Sequence, residues 1–288
     1  MSIGDWARLL PQIQNGELYR TPAKLQFLLG RSKLNVAAQQ RGLRYLEWRP
    51  RKAIGSSENM SSDPLLDPVR SALNGVHAHF AVGHAPARRY PSEVAPFAVI
   101  DDTSEPTLAR LEALMAPGDQ VYIFDEPPSR MNGLSAGPPL HTFQMLGPEH
   151  PTVDARDEGC SPMLMTSEDA GEMFELITLA FPGFYQPRTH EMGTYYGIRI
   201  DGRLVAMAGE RLCMTGYREI SGVCTHPAHV GRGYARTLMN CLMRDHAAAG
   251  VKSFLHVGQA NKRAAAIYQR MGFRVARSIA LWPVSRAR

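Results

Sequence analysis

Apolar and polar positions divide the chain into two patterned stretches that follow a weakly patterned beginning. In the first stretch, residues 77–82 (HAHFAV) alternate as a half-buried strand does. Residues 96–100 and 120–124 are short apolar runs of strand length, and 141–146 (HTFQML) read as another strand. Within 105–115, Leu108, Leu111, Leu114 and Met115 recur at the spacing of one helix face. Residues 127–139 are crowded with Pro, Gly, Ser and Asn and predict a loop. The pattern restarts near residue 162. Thr166 or Ser167 is placed to cap a helix over 168–180, with Glu168 and Asp169 in the first turn, where the helix dipole favours acids. Three strand-like runs follow, at 195–200, 203–210 and 219–225, joined through Asp201-Gly202 and a turn containing Gly216. After a tight glycine-bearing connection at 227–233, helical periodicity runs to about Ala248, with Gly250 as its stop. A strand at 253–257, a helix at 261–271 and a short strand at 273–276 complete the order. Such an order predicts an α/β or α+β layer in which helices flank a mixed sheet.

Composition adds boundaries. The chain has 288 residues, 44% of them apolar and 20% charged, which suits a folded protein of one large or two ordinary domains. Residues 1–62 hold ten Lys/Arg against four Asp/Glu, a net charge of +6, while the remainder sits near −1. With the polar stretch 55–64 as linker, the expected division is a basic extension at 1–62, an α/β segment at 63–155 and a second domain at 156–288. Met60 is a candidate internal start. A basic arm attracts phosphates, which keeps nucleic acid or the ribosome open as a partner, though no nucleic-acid module accompanies it. No apolar run approaches the roughly 18–20 residues of a membrane span. Four scattered cysteines lack any C-x-x-C or metal-ligand spacing, so the expectation is free thiols, no metal and a cytoplasmic location.

The chemistry concentrates in residues 220–235, ISGVCTHPAHVGRGYA. A strand ends in a turn, and Gly231 and Gly233 stand where a helix begins. Without a Cβ, glycine admits a ligand to the backbone, and the first N–H groups of a helix point outward at its positive end. Together they make an anion site suited to a pyrophosphate. The dinucleotide pattern G-x-G-x-x-G fails because Arg236 holds its last position, and no Gly-Lys-Ser/Thr follows for a Walker loop.

A second element fixes the reading. Asn261, Ala264, Ile267, Tyr268, Gly272 and Phe273 fit the pattern N-x-x-A-x-x-[IL]-Y-x-x-x-G-F, and here the chain resembles the GNAT (GCN5-related N-acetyltransferase) superfamily. The preceding turn resembles that family's pyrophosphate loop, although Val230 replaces the usual Arg or Gln. Residues 226–235 (HPAHVGRGYA) are similar to its FR47-like subgroup. The resemblance implies a GNAT fold and acetyl-CoA as cosubstrate, and by its coarse pattern alone the preceding α/β segment reads as a degenerate copy of that fold. It implies an opening between the strands at 219–225 and 253–257, where pantetheine pairs with the backbone of Val223, Cys224 and Thr225. The diphosphate would meet Val230, Gly231, Arg232, Gly233, Tyr234 and Ala235, with Asn261 and Tyr268 also lining the cofactor site.

Roles follow from that resemblance. Tyr268 takes the place of the acid that protonates the departing thiolate. Ordinary pKa values of about 10 and 8.5 make full transfer uphill by roughly 2 kcal/mol, which favours a hydrogen-bond donor. Glu219 is the first candidate for the base, directly or through a water, and Glu210 the second. His226 and His256 lack a second ligand at metal spacing and read as structural, and Cys224 reads as a small buried hydrophobe. Residues 182–192, carrying Phe184, Tyr185, Arg188 and Glu191, lie where this family often binds acceptors. Three functions stay open: acetylation of a small-molecule or peptide amine, a non-catalytic acyl-CoA sensor, and an RNA- or ribosome-associated acetyltransferase. A homodimer is compatible with each.

Overall fold

The computed structural model of the chain describes residues 63–129, 131–149, 161–181 and 183–288. The basic segment 1–62 with Met60, Cys160 and Pro182 lie outside the described residues, as does the 155/156 position expected to separate two domains.

Helix α1 (Pro68–Leu73) starts where Asp67 accepts a hydrogen bond from the Arg70 N–H and where Pro68 needs no donor. The alternation at 77–82 predicts a strand. Instead Ala78–Phe80 form a 3-10 turn, and strand β1 is Val82–His84. His77 and Phe80, three residues apart, are both buried, and three is the period of such a turn. Both His77 nitrogens are engaged, with Tyr90 Oη and with Met192 O at 2.9 Å each. β1 pairs with β2 (Ala87–Arg89), and β2 with β3 (Ala98–Ile100), in a small antiparallel sheet. Helix α2 (Glu105–Ala113) lays Leu108 and Leu111 against Ala87, Ala98 and Ile100.

The remaining strands build one nine-stranded mixed sheet. They are β4 (Gln120–Ile123), β5 (Leu134–Ala136), β6 (Leu140–Leu146), β7 (Met163–Leu164), β8 (Tyr195–Ile200), β9 (Arg203–Met214), β10 (Tyr217–Thr225), β11 (Lys252–Gly258) and β12 (Arg274–Arg286). Their order is β4-β12-β6-β11-β10-β9-β8-β7, with β5 also beside β12. β5 falls inside the expected loop at 127–139. β12 runs 13 residues, far beyond the short strand expected at 273–276. Its first part pairs with β6 and its last part with β4 and β5, all partners distant in sequence. β6, from the 63–155 stretch, is thus wedged antiparallel between β11 and β12, and the sheet runs across both stretches.

Side chains alternate across the sheet. On β11, Phe254 joins the cluster with Leu65, Val69 and Tyr90, while Leu255 joins Tyr234, Leu238, Leu242 and Phe273 on the other face. Helices α4 (Tyr234–Ala248) and α5 (Lys262–Arg270) cover that second face. Helix α3 (Ala170–Ala180) packs Met173, Leu176 and Ile177 on Met207 and Cys224 at the first face. A 3-10 turn, Ser167–Asp169, precedes α3, and Thr166 closes a capping box with Asp169.

Candidate active site

The site begins where two parallel strands part. β10 and β11 pair only through Tyr217 with Lys252, Arg218 with Ser253 and Glu219 with Phe254. Beyond that point β10 continues to Thr225 and β11 to Gly258 without a mutual register. On its other side β10 pairs with β9, but the register slips between Ser221 and Cys224. Gly222 there takes φ +61°, and an extra residue on one strand bends it and leaves backbone groups outside the ladder. Val223 lies in this irregular stretch, while Cys224 and Thr225 return to the β9 register opposite Met207 and Ala206.

At the mouth of the opening, Pro227–His229 form a 3-10 turn and the chain then enters α4 through Val230, Gly231, Arg232 and Gly233. Gly231 and Gly233 have φ +82° and +87°, a region that side chains resist. A Cβ at either would meet nothing within 4 Å, so the turn faces open space. Gly233 is the N-cap residue of α4, and no side chain caps that end. Tyr234 is buried under the helix and Ala235 lies half-buried in its first turn. The geometry suits an anion held by main-chain amides, with Gly231 and Gly233 offering the room.

Toward α5, Asn261 caps the helix by accepting from the Ala264 N–H at 3.1 Å. Its side chain is thereby engaged in local structure, with no ligand role required to explain it. Tyr268, on α5, packs beside Phe273 with ring centroids 6.1 Å apart, and burial pushes its pKa up to about 12. Against an ordinary thiol near 8.5, full proton transfer from Tyr268 would be uphill by on the order of 5 kcal/mol. A hydrogen bond to the sulfur costs no such transfer.

The vertex is occupied by a chain of linked polar groups. Glu219 is wholly buried and accepts from Arg211 Nε at 2.9 Å and Nη2 at 2.6 Å, and from the Leu212 N–H at 3.2 Å. His256 Nδ1 donates to Glu219 Oε1 at 2.7 Å, and Gln144 Nε2 donates to His256 Nε2 at 3.2 Å and to Leu65 O at 3.1 Å. One side-chain relay therefore ties β9, β10, β11 and β6 together beside the last paired residues of the opening. Burial alone would raise the Glu219 pKa, but Arg211 and His256 overcome it and hold the carboxylate at about 2. A carboxylate so held, with both oxygens engaged, is a weak proton acceptor at neutral pH.

Glu210 is engaged as well. It accepts from His246 Nε2 and from the Thr194 N–H at 2.8 Å each, and these bonds outweigh burial to lower its pKa. His226 accepts from the Ala228 N–H at 3.1 Å within the 3-10 turn. Cys224 is buried and its thiol is pushed up to about 12, far from a thiolate. Of the 182–192 loop, Arg188 binds Glu191 and Glu93, whereas Phe184 stacks on Phe97 at 5.8 Å beside the Arg211 guanidinium.

Pattern and motif do not point to Arg211 or Gln144. One signal exists for the first, because Arg211 interrupts the apolar run of β9 next to another charge, and a buried charge needs a partner. Gln144 gives none. Among the described residues no group of His, Cys, Asp and Glu is placed to hold a metal, and no helix is long and apolar enough to cross a membrane.

Comparison with known proteins agrees with this geometry. Residues 161–273 match the family described as the Acetyltransferase (GNAT) family. A crystal structure assigned to the GNAT acetyltransferases, from Novosphingobium aromaticivorans DSM 12444, is 30% identical. The match covers 79% of this chain and 100% of that one, with a TM-score of 0.70. A GCN5-related N-acetyltransferase from Kribbella flavida shares the fold at 16% identity, covering 76% of this chain and 93% of that one, with a TM-score of 0.50. No curated protein matches the chain. The parted parallel strands, the glycine turn between them and α4, and a 30% likeness across the whole of a solved relative lead to one assignment: this chain belongs to the GNAT acetyltransferase family.

Proposed function

We propose that the chain transfers an acetyl group from acetyl-CoA to a primary amine by direct attack of the amine on the thioester. The observation that carries this is the uncapped end of α4, entered through two left-handed glycines that face open space beside the parted strands. Amides from Gly231 to Ala235 would grip the diphosphate, at roughly 1.5–3 kcal/mol for each charged hydrogen bond. The pantetheine arm would then lie along Val223, Cys224 and Thr225. In the reaction the amine nitrogen bonds to the carbonyl carbon, the carbon–sulfur bond breaks, and the thiolate takes up a proton as CoA leaves. Tyr268 would donate a hydrogen bond to that sulfur.

With the Glu219 and Glu210 carboxylates both tied to buried partners, the amine is best supplied already neutral or deprotonated through water. Residues 226–235 favour the FR47-like subgroup within the family. A cytoplasmic location belongs to the same reading, supported by buried free thiols at Cys213, Cys224 and Cys241. Thiol release from acetyl-CoA across a panel of amines, alongside calorimetric titration with CoA, tests the proposal. Binding with acceptor-dependent release is the expected result. Binding without release for any amine would leave an acyl-CoA sensor instead, and no binding would end the reading.

A further inference from the structure

Two buried hydroxyls at the first face of the sheet have no hydrogen-bond partner, and we infer that they receive a carbonyl oxygen at the bulge of β10. Tyr195 opens β8 and is 2% exposed. Tyr185 comes from the connection between α3 and the 3-10 turn Thr189–Met192. Their rings meet edge to face with centroids 5.9 Å apart, and both Oη atoms are shielded from solvent without a partner. Both rings lean on one position of β10. A Cβ built on Gly222 would stand 3.1 Å from Tyr195 Cε1, 3.6 Å from Tyr195 Oη and 3.7 Å from Tyr185 Cε2.

The surroundings explain why the hydroxyls are unusual. Met165, Met173, Leu176, Ile177 and Cys224 pack around the pair and offer no good acceptor. An unsatisfied buried hydroxyl is destabilising, and phenylalanine would fill the same volume without that cost. The fold carries this cost twice in one contact, next to the irregularity where β10 bends beside the opening toward β11. Burial raises the pKa of both phenols, so each stays neutral and keeps its O–H to donate. Two neutral donors match the two lone pairs of one carbonyl oxygen. A carboxylate would call for a cation, and the nearby Arg211 is already spent on Glu219.

This inference rests on the transferase reading and names a group within the same site. Two carbonyl oxygens fit this description chemically: that of the donor's thioester, or one borne by the acceptor beside its amine, as at a peptide N-terminus. For the thioester, the hydrogen bonds would strengthen as charge develops on oxygen in the transition state.

The test uses Tyr195→Phe and Tyr185→Phe in the full chain. Both variants are expected to melt at or above the wild-type temperature, because each loses an unsatisfied hydroxyl. If the thioester oxygen is bound, kcat falls about tenfold at unchanged amine KM, and the affinity advantage of acetyl-CoA over CoA shrinks. If the acceptor's carbonyl is bound, KM rises about tenfold for aminoacyl amides and peptides and stays constant for simple alkylamines. Either pattern supports the inference. Variants indistinguishable from wild type on every substrate overturn it, as does a melting point several degrees lower, which would show the hydroxyls bonded within the fold. Wild-type protein that binds no CoA would end the transferase reading itself, and this inference with it.

Discussion

The two ends of the opening between β10 and β11 are built on opposite principles. At the mouth, the turn through Gly231 and Gly233 is exposed and left-handed, and it leads into a helix end that no side chain caps. At the vertex, Arg211, Glu219, His256 and Gln144 form a buried relay that ends on Leu65 O. The mouth leaves donors for something else to fill, whereas the vertex binds each charge to another residue. A site that binds a charged cosubstrate needs the first arrangement. Holding two strands at a fixed divergence calls for the second, since the backbone ladder between them has stopped. Glu219 shows this most plainly: its two oxygens accept from Arg211, His256 and the Leu212 N–H, and its charge balances the buried guanidinium.

The largest expected effect comes from attacking the vertex. Glu219→Gln strips the buried Arg211 guanidinium of its counter-charge and should destabilise the fold by about 3–5 kcal/mol, read from urea unfolding. A variant as stable as wild type, with turnover reduced a hundredfold, would return Glu219 to the role of base. The pH dependence gives a related expectation. The Glu219 pKa falls from its ordinary 4.5 to about 2 on folding, so its contribution is complete above 4.5 and disappears as pH falls through 2. It amounts to on the order of 3 kcal/mol. Acid unfolding of Glu219→Gln should therefore lack this component between pH 4.5 and 2, and an unchanged acid profile would contradict the coupling.

The mouth should respond in binding and hardly at all in stability. Gly233→Glu places a negative charge and a side chain at φ +87°, where the Cβ direction is open to a ligand. CoA affinity is expected to drop at least a hundredfold by calorimetry, against a stability loss of about 1 kcal/mol from backbone strain. Unaltered affinity would show that the turn does not hold the diphosphate. The smallest effect belongs to Tyr268 on α5. Tyr268→Phe should lower turnover about tenfold with acetyl-CoA affinity nearly constant, and equal turnover would remove the donor role.

Legibility in the sequence follows the same divide. The glycine turn, the helix that starts beside Asn261 and the strands flanking Asp201-Gly202 depend on residues within a few positions of each other, and they stand where the pattern puts them. The run at 77–82 misleads because alternation over six residues does not separate a strand from a 3-10 turn whose buried members, His77 and Phe80, lie three apart. β12 outruns its expected end because its length is set by β4, β5 and β6, not by its own composition. Glu219 stands out in the sequence as a residue of consequence, yet its partners cannot be named from β10 alone.

What the sequence determined by itself was the family pattern, the position of the glycine turn and the order of elements around it, because these rest on backbone conformation and on spacing along one strand or helix. Only the tertiary structure decided which charges neutralise each other, which strand fills the space between β11 and β12, and that Tyr185 and Tyr195 share one unsatisfied contact at Gly222. The physical reason is range. A turn or cap is satisfied by atoms a few bonds away, whereas a buried charge or hydroxyl is satisfied by whatever the folded sheet brings within hydrogen-bond distance, from any point on the chain.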